Sequence, residues 1–356
     1  MELTCKPDFD RVVERMLAWF ECEIIDRPVV QVYAPKPASE QRPLPVKEHA
    51  TLEDRWTDVE YVVERADAEI HNTYYAGEAV PLFFPNLGPE LLGNMLGCGI
   101  EFGQTTTWSV PLIRTWDEPW RDLKLDPENR WLKLLLRMTR LGLEVGRGRW
   151  ITGLTDFHPG ADLLAALRDP QNLCTDLLEY PDHVKELMDV LDPVFYIVYE
   201  AQYDLMRQAG QGTTTWLPAY SPGRYYPTSN DFSCMISTQA FDEFFLDELA
   251  REWAWLDHSL YHLDGPGAIR HLDSLLAARD LHGIQWVPGA NSGPAGQWIN
   301  LLKRIQGAGK CIHYAIGAEE LDVLMENLRP EGVMFHIQTS CPEEADAVVR
   351  KVSRWR

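Results

Sequence analysis

"SLYHLDGPGAIRHLDSLL", residues 259–276, is the stretch on which the fold turns. Its first part, "SLYHLDG" (259–265), is a short apolar run interrupted by one imidazole and closed by a carboxylate. A Gly-Pro-Gly turn follows, and from Gly267 the apolar residues recur at helical spacing. A buried strand handed at once to a helix is the repeating unit of a parallel sheet covered by helices. Alternate side chains of a strand share a face, so His262 and Asp264 point the same way.

Working outward, the same unit recurs. Strands are expected in "PVVQVYAP" (28–35), "VPLFFPN" (80–86), "RWITGLTD" (149–156), "TTTWLP" (213–218), "IQWVPG" (284–289), "KCIHYAI" (310–316) and "GVMFHIQT" (332–339). Amphipathic helical patterns separate them, one running through "WTDVEYVVERADAEIHNTYYAG" (56–77) and others broken at Pro170 and Pro181. About eight such repeats predict an α/β fold, a single closed (β/α)8 TIM barrel forming one domain over residues 1–356. An N-terminal helical extension (8–23) precedes it, and residues 99–126 read as an irregular or hairpin insertion. No G-x-G-x-x-G turn follows the first strand, which argues against an open dinucleotide-binding sheet.

The bulk numbers narrow the partners. The formal net charge of −21 and the pI near 4.8 disfavour nucleic acid and anionic lipid surfaces. No apolar run is long enough to span a membrane. The acidic N-terminus does not resemble a secretory signal, so a cytoplasmic protein acting on a small molecule is expected, with a homodimer as the candidate assembly. The seven cysteines are scattered without a C-x-x-C, which fits neither a disulfide framework nor a zinc knuckle.

In a barrel of this kind, chemistry lies at the carboxyl ends of the strands. That rule selects Tyr33, Asn86, Asp156, His158, Tyr220, Arg224, Tyr225, Tyr226, Asp231, Tyr261, His262, Asp264, Gln285, Trp286, Cys311, His313, His336, Gln338 and Cys341. Buried histidines often only hydrogen-bond their neighbours. A paired polar step inside an apolar strand is costly unless used, which favours a role for His262 with Asp264. Several imidazoles and a carboxylate at one mouth have the ligand chemistry for zinc. Asp264, His262, Asp156 and Tyr226 are the expected catalytic groups. Asn86, His158, Arg224, Asp231, Gln285, Trp286, His313 and Gln338 are the expected substrate contacts. The turns "HPGAD" and "GPGA" offer backbone N–H groups for a carboxylate or phosphate, or are ordinary loops.

Together, "NDFSCMISTQAFDEFFLDEL" (230–249), "YHLDGPGAIRHLDSLL", "GIQWVPGA" (283–290) and "CPEEADAVVRKV" (341–352) resemble the uroporphyrinogen decarboxylase superfamily. The resemblance implies a (β/α)8 barrel and an enzyme, either a porphyrinogen decarboxylase or a zinc-dependent methyltransferase serving corrinoid proteins. Two departures stand against the decarboxylase. "QVYAPKPASE" (31–40) lacks the arginine motif that grips substrate carboxylates, and Asn86 stands where an aspartate is expected. The methyltransferase pattern has His-x-Cys after strand five and a distant Cys near strand eight. Here it reads His262-Leu263-Asp264, with His336 and Cys341 near the last strand. The resemblance thus implies a zinc site at His262, Asp264, His336 and Cys341, and a corrinoid only through a partner protein. Two alternatives remain at this point: a metal-free decarboxylase or lyase of a small organic acid or modified tetrapyrrole, and a glycan-binding barrel or glycosidase.

Overall fold

The computed structural model describes residues 2–355. Eleven strands occur among these residues: β1 (Val29–Pro35), β2 (Thr73–Gly77), β3 (Leu82–Phe83), β4 (Gly99–Phe102), β5 (Thr107–Val110), β6 (Ile151–Thr152), β7 (Tyr225–Ser229), β8 (His258–Asp264), β9 (Gly283–Val287), β10 (Cys311–Ile316) and β11 (Val333–Gln338). The main sheet runs β2-β1-β11-β10-β9-β8-β7. Every pairing in it is parallel except β2 with β1. β3 and β6 form a separate parallel pair, and β4–β5 is an antiparallel hairpin inside the 99–126 excursion. The chain is therefore an α/β protein built on a parallel sheet with helices between its strands.

Two expectations need correction. Residues 213–218 form no strand beyond the bridge Thr213↔Ser221, and the strand at this place in the chain is β7. Pro227 hides β7 from a sequence reading, since proline removes a ladder donor. β7 tolerates it because it is the terminal strand of its sheet. β2 follows the helix Val59–Asn72 where a continuous helix was expected. The aromatic pair Tyr74–Tyr75 favours the extended state there.

Each strand of the main sheet separates two environments. Val30, Val32, Tyr261, Leu263, Ile284, Trp286, Ile312, Tyr314, Phe335 and Ile337 are buried in the larger core with the helices. On the other face, at the amino ends, Val29, Tyr225, Leu260, Cys311 and Met334 join Val80 and Ile151 in a second core. The amphipathic helix Phe9–Phe20 closes that core with Val12, Met16, Trp19 and Phe20. Trp19 Nε1 donates to the carbonyls of Ile312 (3.2 Å) and Gly332 (3.0 Å), so the helix docks by hydrogen bonds as well as by apolar area. No described helix is long and apolar enough to cross a membrane.

Candidate functional site

One step further along the same inward face, the side chains change character. His262 stands opposite Ser229 and Gln285, and Gln285 opposite His313. Tyr261, Leu263, Ile284 and Trp286 alternate with them into the helix-side core, which fixes the polar residues on the other face. His262 Nδ1 lies 2.6 Å from Gln285 Oε1. An amide oxygen only accepts, so Nδ1 carries a proton, and in the neutral ring Nε2 is the nitrogen with the free lone pair. That Nε2 faces Asp231 Oδ1 at 3.9 Å. Asp231 Oδ1 is buried and has no hydrogen-bond partner, although the carboxylate as a whole is 39% exposed.

Asp231 joins two clusters. Ligand atoms of Asp231, His262 and Asp264 lie within 4.8 Å of one another, as do those of His158, Asp162 and Asp231. Asp264 occupies the N-cap position of the turn Gly265–Ala268 but makes no side-chain cap bond, so capping does not account for it. Asp162 is committed differently. It accepts from the Ser229 hydroxyl (2.8 Å) and from the backbone N–H groups of Asp231 (3.1 Å) and Phe232 (3.0 Å). It holds the segment that carries Asp231.

The segment after β6 supplies the rest. Asp156 Oδ1 accepts from Tyr226 Oη and Trp216 Nε1, both at 3.1 Å. Its Oδ2 lies 3.3 Å from His158 Nε2. His158 has φ +41, a left-handed conformation that non-glycine residues adopt at a cost. Gly160, at φ +62, packs so closely on Glu248 that a Cβ would lie 2.5 Å from Oε2.

The electrostatics divide these groups. Burial opposes charging of His158, but Asp156, Asp162 and Asp231 outweigh it and raise the imidazole to about 10. Burial, and then Asp162, raise Asp231 to about 6, against the pull of His158 and His262. His313 is 3% exposed and neither ring nitrogen is bonded. Burial, followed by His336 and His262, lowers it to about 3. Burial lowers His336 to about 4. These two imidazoles are neutral at pH 7.

The structure thus gathers Asp156, His158, Tyr226, Asp231, His262, Asp264 and Gln285, with His313 and His336 alongside at a ring separation of 6.1 Å from each other. Other expected residues fall elsewhere. Arg224 precedes β7 at the opposite end of the strands, where it pairs with Glu200 (2.7 Å) and covers the rings of Tyr203 and Trp255. Trp286 faces the helices and packs on Trp298 at 4.8 Å. Asn86 accepts from Gly88 N (2.8 Å), a local turn bond, and lines a separate cavity with Arg55 and Gln104. Cys341 begins the last helix, and neither it nor His336 belongs to either ligand cluster. Gln338 stands beside His336, 3.2 Å between Nε2 atoms.

Sequence reasoning missed Asp162 and Trp216. Asp162 lies in the "HPGAD" turn, which was read for its backbone N–H groups. The side-chain carboxylate is what binds there, and what it receives are the N–H groups of another loop. Trp216 meets the His262 ring edge-on at 5.3 Å, a contact no local pattern announces.

No family model matches the sequence, and no curated protein matches it. Among solved structures the chain resembles a methyltransferase from Methanosarcina mazei, with a TM-score of 0.63 and 12% identity. The match covers 96% of this chain and 98% of that one. At this identity the likeness is one of fold, and it extends over both chains nearly end to end.

Proposed function

We propose that the protein is a group-transfer enzyme of methyltransferase type, working at the carboxyl mouth of a single closed (β/α)8 barrel. Closure is supported by the amino-end core, to which both the main sheet and the β3–β6 region contribute side chains. It is supported again by Gly153 N donating to Phe83 O and Leu154 N to Thr214 O, both at 2.8 Å, between segments outside the main sheet. A chain-length likeness in fold to a methyltransferase agrees with this reading.

The observation that carries the proposal is the buried, unbonded Asp231 Oδ1 facing the free Nε2 of His262, with Asp264 in reach of both. One imidazole and two carboxylates suit zinc or a harder divalent ion. A cation held there would act as a Lewis acid on the donor or acceptor of the transferred group. Gln285 fixes the tautomer of His262, the role of an outer-shell partner. Trp216 covers the edge of its ring. The ligand set proposed is Asp231, His262 and Asp264, in place of His336 and Cys341. A corrinoid protein or small methyl carrier is the partner in keeping with such chemistry. Zinc titration of the wild type against Asp231→Ala and Asp264→Ala tests it. Each variant should bind about tenfold more weakly or worse. Equal affinity in all three would reject the ligand set.

The arrangement around Asp156 favours one second reading, a metal-free proton transfer in a lyase or decarboxylase. Tyr226 Oη donates to one oxygen of Asp156, and His158 Nε2 lies 3.3 Å from the other. Under that reading Tyr226→Phe abolishes turnover while zinc affinity is irrelevant to it.

A further inference from the structure

A cavity of about 470 Å³ adjoins the ligand cluster, within the range of small-molecule sites. Its wall includes Tyr33, Phe83, Phe84, Trp216, His336 and Gln338. Two of these belong to the site as well. Trp216 contacts His262 and Asp156, and the His336 ring neighbours His313. A molecule in the cavity is therefore separated from His262 and Asp156 by the Trp216 side chain.

The charges on this wall decide what fits. Arg65 and Glu69 both line it, and they pair with each other at 2.9 Å on the helix Val59–Asn72. His336 is neutral at pH 7 because it is buried. An anion would find only a guanidinium already paired with Glu69 on this wall. A cation would find no free carboxylate on the wall. Tyr33, Tyr75, Phe83, Phe84 and Trp216 contribute rings to the remaining surface, beside aliphatic side chains. Tyr33 stacks on His336 at 4.9 Å and meets Tyr75 edge-on at 5.8 Å. Hydrogen-bonding capacity lies at the His336–Gln338 pair and at Tyr33 Oη, which is buried without a partner.

We propose that this cavity seats the substrate, and that the substrate is an uncharged molecule with an aromatic or comparably flat apolar body and one hydrogen-bonding end directed at His336 and Gln338. The inference rests on the site assignment above but not on the metal. Rings pack against the cavity's own aromatic faces in offset or edge-on contacts. The polar end replaces water at a buried imidazole without bringing in a charge that must be desolvated.

Calorimetric titration of the full-length protein with phenol, benzoate, benzylammonium and toluene tests the charge class. Phenol should bind at least about tenfold more tightly than either ion. Ala66→Phe, which fills the cavity from the helix side, should weaken phenol by a similar factor. Gln338→Leu alters an exposed strand end and spares the fold; it should weaken phenol while leaving toluene unchanged. Phenol affinity should be the same with a chelator present and in Asp264→Ala, so failure of the metal assignment would show separately. The proposal is overturned if benzoate or benzylammonium binds as well as phenol, or if no aromatic probe binds. It is also overturned if a folded Ala66→Phe and Gln338→Leu both bind phenol like the wild type.

Discussion

The two ends of the parallel strands are made by the same alternation and behave as opposites. At the amino ends the inward residues are Val29, Leu260, Cys311 and Met334, sealed by the helix Phe9–Phe20. The nearby charges there are matched. Glu78, fully buried, accepts from Arg27 (2.5 and 2.7 Å), Arg15 (3.0 Å) and Val30 N (3.0 Å). Two residues further along β8 and β10 the inward positions are His262 and His313, and His336 follows Met334 on β11. At this end His313 keeps both nitrogens unbonded and Asp231 keeps one oxygen unbonded. One end spends its side chains on stability. The other tolerates unsatisfied polar groups, the expected mark of a functional site.

Substitutions at inward positions of the two ends sharpen this contrast. Leu260→Ala should cost about 2–5 kcal/mol, because a fully buried leucine leaves a cavity behind. His313→Leu should leave stability unchanged or raise it, since it removes a buried imidazole that makes no hydrogen bonds. Urea denaturation of both variants measures the difference. Comparable losses would erase the distinction between the two ends.

Gly160→Ala sits between these extremes. Its φ of +62 and the contact with Glu248 predict a loss of about 1–3 kcal/mol. Because Gly160 lies between His158 and Asp162, substrate binding should fall as well. Thermal melting alongside ligand titration checks both effects, and a variant with wild-type stability would show that the loop yields freely.

A smaller effect concerns pH. Burial, with Asp192 adding to it, raises Glu248 to about 7, and burial with Glu248 raises Glu252 further. The neutral acids are the forms the folded state prefers. Their contribution is full below the unfolded value near 4.5 and is lost as pH rises through about 7. Glu248→Gln should therefore lose less stability than the wild type between about pH 5 and 8. Parallel slopes in denaturation midpoints would contradict the shift.

How much of this could be read beforehand follows from the range of the interactions. β1, β8, β9, β10 and β11 announce themselves as short apolar runs followed by helices. His262, Asp264 and Gln285 then follow from strand alternation alone. β7 does not, because Pro227 disguises it and only its place at the end of the sheet makes the proline tolerable. Arg224 is expected among the substrate contacts because it follows the strand expected at 213–218. It lies at the wrong end because residues 225–229 are strand rather than loop. Asp231 was legible only as one residue of a loop. Its central position depends on Asp162, a contact across 69 residues of chain.

A thiolate placed at the carboxyl end of β8 tests whether position 264 supplies a metal ligand. Asp264→Cys should keep or tighten zinc binding, whereas Asp264→Ala should weaken it about tenfold or more. The most direct measurement is anomalous diffraction at the zinc edge from crystals of the wild type grown with zinc. The account predicts one peak about 2.0–2.2 Å from Asp231, His262 and Asp264 ligand atoms. A peak at His336 and Cys341, or none at the carboxyl mouth, would contradict it.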